Sequence, residues 1–211
     1  METRLQSIQE RIARAAESAG RDPAEVTLIA VSKNQPLEAL KEAYGLGQRH
    51  FGESRLQEAE PKIARMPSDC VWHFIGNLQS NKARKVAELF DVVHTFDNER
   101  QLDAIRHPIE GLIEVNVAEE AQKGGISSEN LPALLEKLVQ YEHVQYRGLM
   151  TVGPALEDPA AMRPFFRKVR ELRERFGGEW LSMGMSGDFE TAIQEGSTHV
   201  RVGTALFGLR N

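Results

Sequence analysis

The chain has 211 residues, 41% of them hydrophobic and 27% charged, with a formal net charge of −5. That length suits one buried core and lies near the lower limit for an eightfold barrel. The acidic balance argues against a nucleic-acid partner, no apolar run is long enough to span a membrane, and the single cysteine, Cys70, cannot build a disulfide framework and fits a reducing cytoplasm.

The first element is an amphipathic helix. Leu5, Ile8, Ile12 and Ala15 fall at helical spacing, Glu2, Glu10 and Glu17 break up any targeting character, and Gly20 marks the end. Short β-like runs then alternate with helical patterns. The expected strands cover residues 27–33, 49–54, 71–76, 92–96, 111–117, 144–150, 180–185 and 199–204. Helical segments between them include 36–44, 81–90, 130–141, 159–176 and 189–194. Several strands are nearly continuous apolar runs, as a parallel sheet buried on both faces requires. Such alternation admits an open doubly wound sheet or a closed barrel. Eight units, and the lack of a glycine-rich dinucleotide fingerprint after the first strand, favour the barrel. The expected fold is therefore α/β, a (β/α)8 TIM-type barrel with an extra N-terminal helix. Every linker is short, so a single domain is expected over residues 1–211.

In either architecture ligands bind beyond the carboxyl ends of the strands. That rule selects Lys33, Ser54, Gly76, Asn77, Asn116, Met150, Thr151, Ser186, Gly203 and Thr204. Lys33 closes the run Leu28-Ile29-Ala30-Val31 and is expected to sit at the barrel mouth, partly out of water. Desolvation lowers an amine from its usual value of about 10.4, and a neutral amine can form a Schiff base. A lysine that merely blunts a strand end is the ordinary alternative. The last two strands alter that balance. Met183-Gly184-Met185-Ser186-Gly187-Asp188 runs into a helix, and Arg201-Val202-Gly203-Thr204 again places a glycine and a hydroxyl at a strand end. Barrels often hold phosphate between these two loops. A lysine and a phosphate cradle on one rim fit either pyridoxal 5′-phosphate (PLP) or a sugar phosphate bound by a Schiff-base aldolase.

Arg201 lies two residues before Gly203, so both can share one face of the strand. Pointing inward, its guanidinium would donate to the pyridine nitrogen of PLP and leave it unprotonated, a poorer electron sink than a ring paired with aspartate. Pointing outward, it would be a surface arginine. His50, His73, His94, His107, His143 and His199 show no metal-ligand spacing, so no metal is expected. His73, between Trp72 and Phe74, reads as a packed strand histidine. Lys123-Gly124-Gly125 reads as a plain turn or as a mobile loop that meets an anion.

Taken in order, these blocks resemble the YggS/PROSC family, PLP-binding proteins of PLP homeostasis related to the barrel of alanine racemase. The likeness covers essentially the whole chain. It rests on Ala30-Val31-Ser32-Lys33, Phe51-Gly52-Glu53, His73-Phe74-Ile75-Gly76, Leu78-Gln79-Ser80-Asn81-Lys82, Arg147-Gly148-Leu149-Met150-Thr151, Met183-Gly184-Met185-Ser186 and the run from Arg201 to Gly208. It implies that Lys33 carries the cofactor as an aldimine, that Ser186, Gly203 and Thr204 hold its phosphate, and that Arg201 faces the pyridine nitrogen. One block departs. The family usually reads Phe-Gly-Glu-Asn-Tyr after the second strand, whereas this chain reads Phe51-Gly52-Glu53-Ser54-Arg55. Ser54 is shorter than asparagine and lacks its amide, so its contact with cofactor is expected to be bridged by water.

The expected function is that of a carrier or regulator of PLP with little or no turnover, cytoplasmic as the cysteine usage suggests, expected as a monomer and supplying PLP-dependent apoenzymes. Related racemases take their second acid/base group from a tyrosine on a separate domain. This chain ends seven residues after Thr204, and none of Tyr44, Tyr141 and Tyr146 lies at an expected strand end. A PLP-dependent racemase or lyase is the first alternative, and the sugar-phosphate aldolase the second.

Overall fold

The computed structural model describes residues 1–120 and 122–208. Eight parallel strands close into a barrel in chain order. They are β1 (Thr27–Val31), β2 (His50–Glu53), β3 (Val71–Phe74), β4 (Val92–Phe96), β5 (Ile109–Glu114), β6 (Val144–Met150), β7 (Trp180–Met185) and β8 (His199–Val202). Closure comes from β8 lying beside β1, with Thr27 opposite His199 and Ala30 opposite Val202.

The helices are α1 (Glu2–Ser18), α2 (Leu37–Gly45), α3 (Leu56–Ile63), α4 (Ser80–Leu89), α5 (Glu99–Asp103), α6 (Leu131–Leu138), α7 (Arg163–Phe176), α8 (Phe189–Gln194) and α9 (Thr204–Phe207). The segment expected as one helix over 159–176 begins with a 3-10 turn, Pro159–Met162, before α7. Five strands stop short of their expected ends. Lys33, Ser54, Gly76, Val117 and Thr204 all lie past the last ladder residue. Apolar patterning continues after the strand's hydrogen bonds have ended, because the loops also turn back over the core. The short helices α3, α5 and α9 carry too few apolar positions to establish a period.

Two separate cores result. The larger one fills the annulus between sheet and helices, where Phe51, Phe96, Phe166, Leu181 and Phe189 are fully buried. Inside the barrel the apolar cluster is small, consisting of Val92, Leu112 and Met150 with Val71, Val152 and Trp180 packed at its edge. Much of the remaining interior is polar. α1 completes the outer ring. Arg4 Nε donates to Leu206 O at 2.7 Å, and Arg11 pairs with Glu190 at 2.8 Å while lying 4.5 Å over the Phe189 ring. The N-terminal helix thus covers the flank after β8, where α9 is only a single turn.

Gly148 interrupts the regular β5–β6 register. Its φ is +150°, and a Cβ there would stand 2.0 Å from Trp180 O. No side chain fits without separating β6 from β7. Gly148→Ala is expected to destabilise the fold by about 3 kcal/mol or more, read from the shift in a urea unfolding curve. An unchanged midpoint would mean that the two strands can part at no cost.

Candidate functional site

The rim at the carboxyl ends of β7, β8 and β1 brings together most of the residues selected from sequence. Ala30 pairs with Val202, so Gly203 lies alongside Val31, and Lys33 follows two residues later. Lys33 occupies a turn held at both ends. Ser32 N–H donates to Gly52 O at 2.9 Å, and Gln35 N–H donates back to Ser32 O at 3.0 Å. Asn34, within it, adopts a left-handed φ of +59°. The Lys33 side chain is exposed, which corrects the expectation that it lies partly out of water. The turn lies past the end of β1 and leaves the side chain open to solvent.

Beneath that turn is a buried ionic cluster that the sequence does not announce. Lys62 Nζ donates to Ser32 O at 2.8 Å and to Glu53 Oε1 and Glu58 Oε1 at 2.7 Å each. Ser32 Oγ also donates to Glu53 Oε1 at 2.7 Å. Glu53 is fully buried, and burial pushes its carboxyl up while Lys62 and Ser32 draw it back. The cluster fixes the base of the Lys33 turn from below.

The anion cradle lies next door. Ser186 Oγ accepts from Gly203 N–H at 3.3 Å and from Ala205 N–H at 3.4 Å, two long contacts that leave both donors weakly engaged. Thr204 is exposed, and its hydroxyl makes no hydrogen bond among the described residues. Around Gly187 a Cβ would meet nothing within 4 Å. This is open, donor-rich space bounded by Ser186, Gly203 and Thr204. The flanking helices α8 and α9 are very short, so what this space offers an anion is individual N–H and O–H groups rather than a helix dipole.

Arg201 points inward and is buried. Nη1 donates to Ser182 Oγ at 2.7 Å and Nη2 to Thr151 O at 2.8 Å. Its other donors take no protein partner among the described residues. Burial lowers its pKa to about 10, opposed by the charges of Glu114 and Asp188, so it remains cationic at neutral pH. Glu114, at the end of β5, is pushed up to about 7 by burial and by Asp97, with Arg201 pulling the other way. Sequence reading passed over Glu114, which sits within an apolar run.

From Ser182 a file of side chains crosses the barrel. His94 Nδ1 lies 2.8 Å from Ser182 Oγ, His94 Nε2 lies 2.9 Å from His73 Nδ1, and His73 Nε2 lies 2.9 Å from His50 Nδ1. His73 is packed, as expected, but it is also the middle of this chain. Burial drives His73 and His94 well below the usual imidazole range and His199 to about 3. Among the described residues no group of three His, Cys, Asp or Glu side chains could hold a metal ion.

The remaining candidates lie apart from this group or are engaged within the protein. Ser54 lines a separate side cavity of about 230 Å³ with Asn77 and Lys82, and its Oγ makes no hydrogen bond among the described residues. Thr151 Oγ1 donates to Val115 O at 2.8 Å. Asn116 ties down its own loop, with Nδ2 donating to Glu120 O at 2.8 Å. Lys123 is held by Glu120 at 2.7 Å and Gly153 O at 2.9 Å. Cys70 is buried, and burial raises its thiol.

Residues 3–211 match the family described as "Alanine racemase, N-terminal domain". A "Pyridoxal phosphate homeostasis protein" of Pseudomonas aeruginosa is 44% identical, over 98% of this chain and 94% of its own. PipY of Synechococcus elongatus, solved without PLP, superimposes with a TM-score of 0.83 at 40% identity, over 95% of this chain and all of PipY. PipY with PLP bound gives 0.79 at 39% identity over the same shares. Alanine racemase from Bacillus anthracis shares the fold alone, with a TM-score of 0.69 at 19% identity; the match covers 98% of this chain and 56% of that enzyme.

The buried histidines make stability depend on pH with a definite sign. Unfolded imidazole takes up a proton near pH 6.5, whereas His73, His94 and His199 resist it in the folded state until much lower pH. The unfolded state therefore binds more protons below about 6.5, and stability falls with pH there. Their contribution is intact above that value and declines by roughly 2 kcal/mol per histidine by pH 5. Denaturant midpoints across this range should drop steeply; a flat profile would show that the histidines are protonated as easily in the barrel as in water.

Proposed function

This chain belongs to the alanine racemase N-terminal domain family, and on that premise we propose that it holds PLP on Lys33 and serves intracellular PLP homeostasis. One juxtaposition carries the reading. A turn-borne amine, a donor-rich anion cradle and a buried guanidinium with spare donors stand on three adjacent strands of one rim. The relatives named above bear on PLP rather than on a sugar phosphate, which sets the aldolase alternative aside.

The donor set suits a phosphorylated pyridine aldehyde. When bound, PLP supplies an electrophilic carbon and a conjugated ring. Lys33 would provide the amine, accessible to solvent and to an incoming cofactor. Ser186, Thr204 and the Gly203 N–H would hold the phosphate. Arg201 would hold the ring nitrogen, and its guanidinium keeps its protons at neutral pH, so that nitrogen is left unprotonated. Ser54 is the weakest member of the set, since it lines a different cavity.

Holding rather than turnover is supported by what the tyrosines do. Tyr44 donates to Asp69, Tyr141 to Asp103 and Tyr146 to Gly177 O, so each is engaged away from the rim. A racemase needs a second acid/base group on the far side of the reacting carbon. On this proposal the chain is a PLP carrier rather than a racemase, and by extension a cytoplasmic monomer that delivers PLP to apoenzymes. Glu114 favours the alternative of a PLP-dependent racemase or lyase. A carboxyl near 7 beside Arg201 is able to exchange a proton at neutral pH.

Purified protein mixed with PLP should gain a visible absorption band. Borohydride should then fix the cofactor to the peptide containing Lys33, and Lys33→Ala should abolish the labelling. Wild-type protein that neither colours nor retains label would overturn the reading. Ser186→Ala should weaken PLP binding about tenfold in equilibrium titration, the loss of one bond to a charged group. Across a panel of amino acids, turnover abolished by Lys33→Ala would move the racemase alternative to the front.

A further inference from the structure

The barrel's other mouth is also built as a site. At the amino ends of the strands lies a cavity of about 810 Å³, within the range of small-molecule sites. His50, Trp180 and His199, the first residues of β2, β7 and β8, form its floor, and Arg21, Arg170 and Arg173 stand around its wall. It lies at the opposite end of the barrel from Lys33 and owes nothing to the PLP reading.

Its lining charges balance in number, Arg21, Arg170 and Arg173 against Glu25, Glu110 and Glu179, but not in pairing. Arg21 pairs with Glu25 at 3.2 Å, and Arg170 pairs with Glu195 at 3.0 Å. Glu110 and Glu179 are engaged by Arg147, at 2.5 and 3.5 Å. Arg173 has no carboxylate within 4 Å among the described residues, and its buried Nε has no hydrogen-bond partner. Arg173 is therefore the one lining arginine without a carboxylate partner among the described residues.

The histidine file supplies a second donor, and the Ser182 hydroxyl fixes its direction. Arg201 Nη1 donates to Ser182 Oγ, so that oxygen already accepts. The Ser182 hydroxyl proton has one acceptor among the described residues, His94 Nδ1. With Nδ1 accepting, neutral His94 carries its proton on Nε2 and donates to His73 Nδ1. His73 then carries its proton on Nε2 and donates to His50 Nδ1. His50 in turn carries its proton on Nε2, which has no protein acceptor among the described residues and belongs to a residue lining the cavity. The hydroxyl beside the Arg201 guanidinium thus sets an N–H without a protein acceptor, among the described residues, at the cavity end of the file.

We propose that this basal cavity is a second binding site, for a small organic monocarboxylate. The carboxylate would accept from Arg173 and from His50 Nε2–H, and its body would lie against Trp180 and His199. One unpaired guanidinium matches one carboxylate. The flanking Glu25, Glu110 and Glu179 and the neutral imidazoles disfavour a phosphate dianion. Because the hydrogen bonds all run one way, an acceptor on His50 polarises the file as far as Arg201.

The test uses the full chain without PLP, labelled with 15N at histidine and arginine. Imidazole correlation spectra should show His50, His73 and His94 all protonated on Nε2. Benzoate, used as the probe, should bind saturably, and the His50, His73, His94 and Arg201 signals should shift with one shared midpoint. Inorganic phosphate should bind more weakly. Arg173→Gln should raise the benzoate midpoint by about tenfold or more with unchanged circular dichroism. An Nδ1–H tautomer at any of the three histidines, no saturable shift, phosphate binding at least as tight as benzoate, or an unchanged midpoint in Arg173→Gln would each overturn the proposal. Should Arg173→Gln not fold, the wild-type tautomers and the benzoate–phosphate comparison still decide it.

Discussion

Burying the charge of Arg201 is the constraint around which the interior is arranged. A guanidinium inside a barrel is costly unless its protons find acceptors. Two of them are met by Ser182 Oγ and Thr151 O. Ser182 then needs a partner for its own proton, and so does each histidine in turn. That chain of obligations explains why the inside of the barrel contains only a small apolar cluster at its centre, while the annulus outside the sheet supplies the bulk of the hydrophobic burial. Apolar burial resides outside the sheet and the buried polar network within it.

The rim separates its tasks in a similar way. Lys33 is exposed on a turn, but the turn rests on a buried cluster of Lys62, Glu53 and Glu58. The cradle at Ser186 and Gly203 is built from groups that bond each other only loosely. Fixed supports beneath lightly engaged donors suit a site that takes up a ligand without rearranging the barrel. Access and firmness are therefore assigned to different atoms of the same loops.

Much of this was legible in the chain. Eight apolar runs marked eight strands, and the rule that ligands gather at strand carboxyl ends selected Lys33, Ser186, Gly203 and Thr204. The two-residue step between Arg201 and Gly203 put both on one face, and the structure turns Arg201 inward. What stayed hidden depends on pairing across distant strands. His94 and Ser182 are 88 residues apart, and Ser182 and Arg201 are 19 apart, so no local spacing joins them. Glu114 and Lys62 escaped notice for a related reason. A carboxylate in an apolar run and a lysine on a short helix look ordinary until burial shows what surrounds them. The exposure of Lys33 was misjudged because periodicity does not record where ladder hydrogen bonds stop.

The closing seam between β1 and β8 has a consequence for biogenesis. β1 is among the first elements synthesised and β8 among the last, yet they lie side by side. Pairings of such long range form slowly, because the intervening chain must first be ordered. The cradle is assembled from the β7 and β8 loops, and it meets the Lys33 turn only across that seam. A nascent chain on the ribosome therefore lacks the complete rim until nearly all of it has emerged. Uptake of ligand at the proposed rim site would then be a mark of finished molecules.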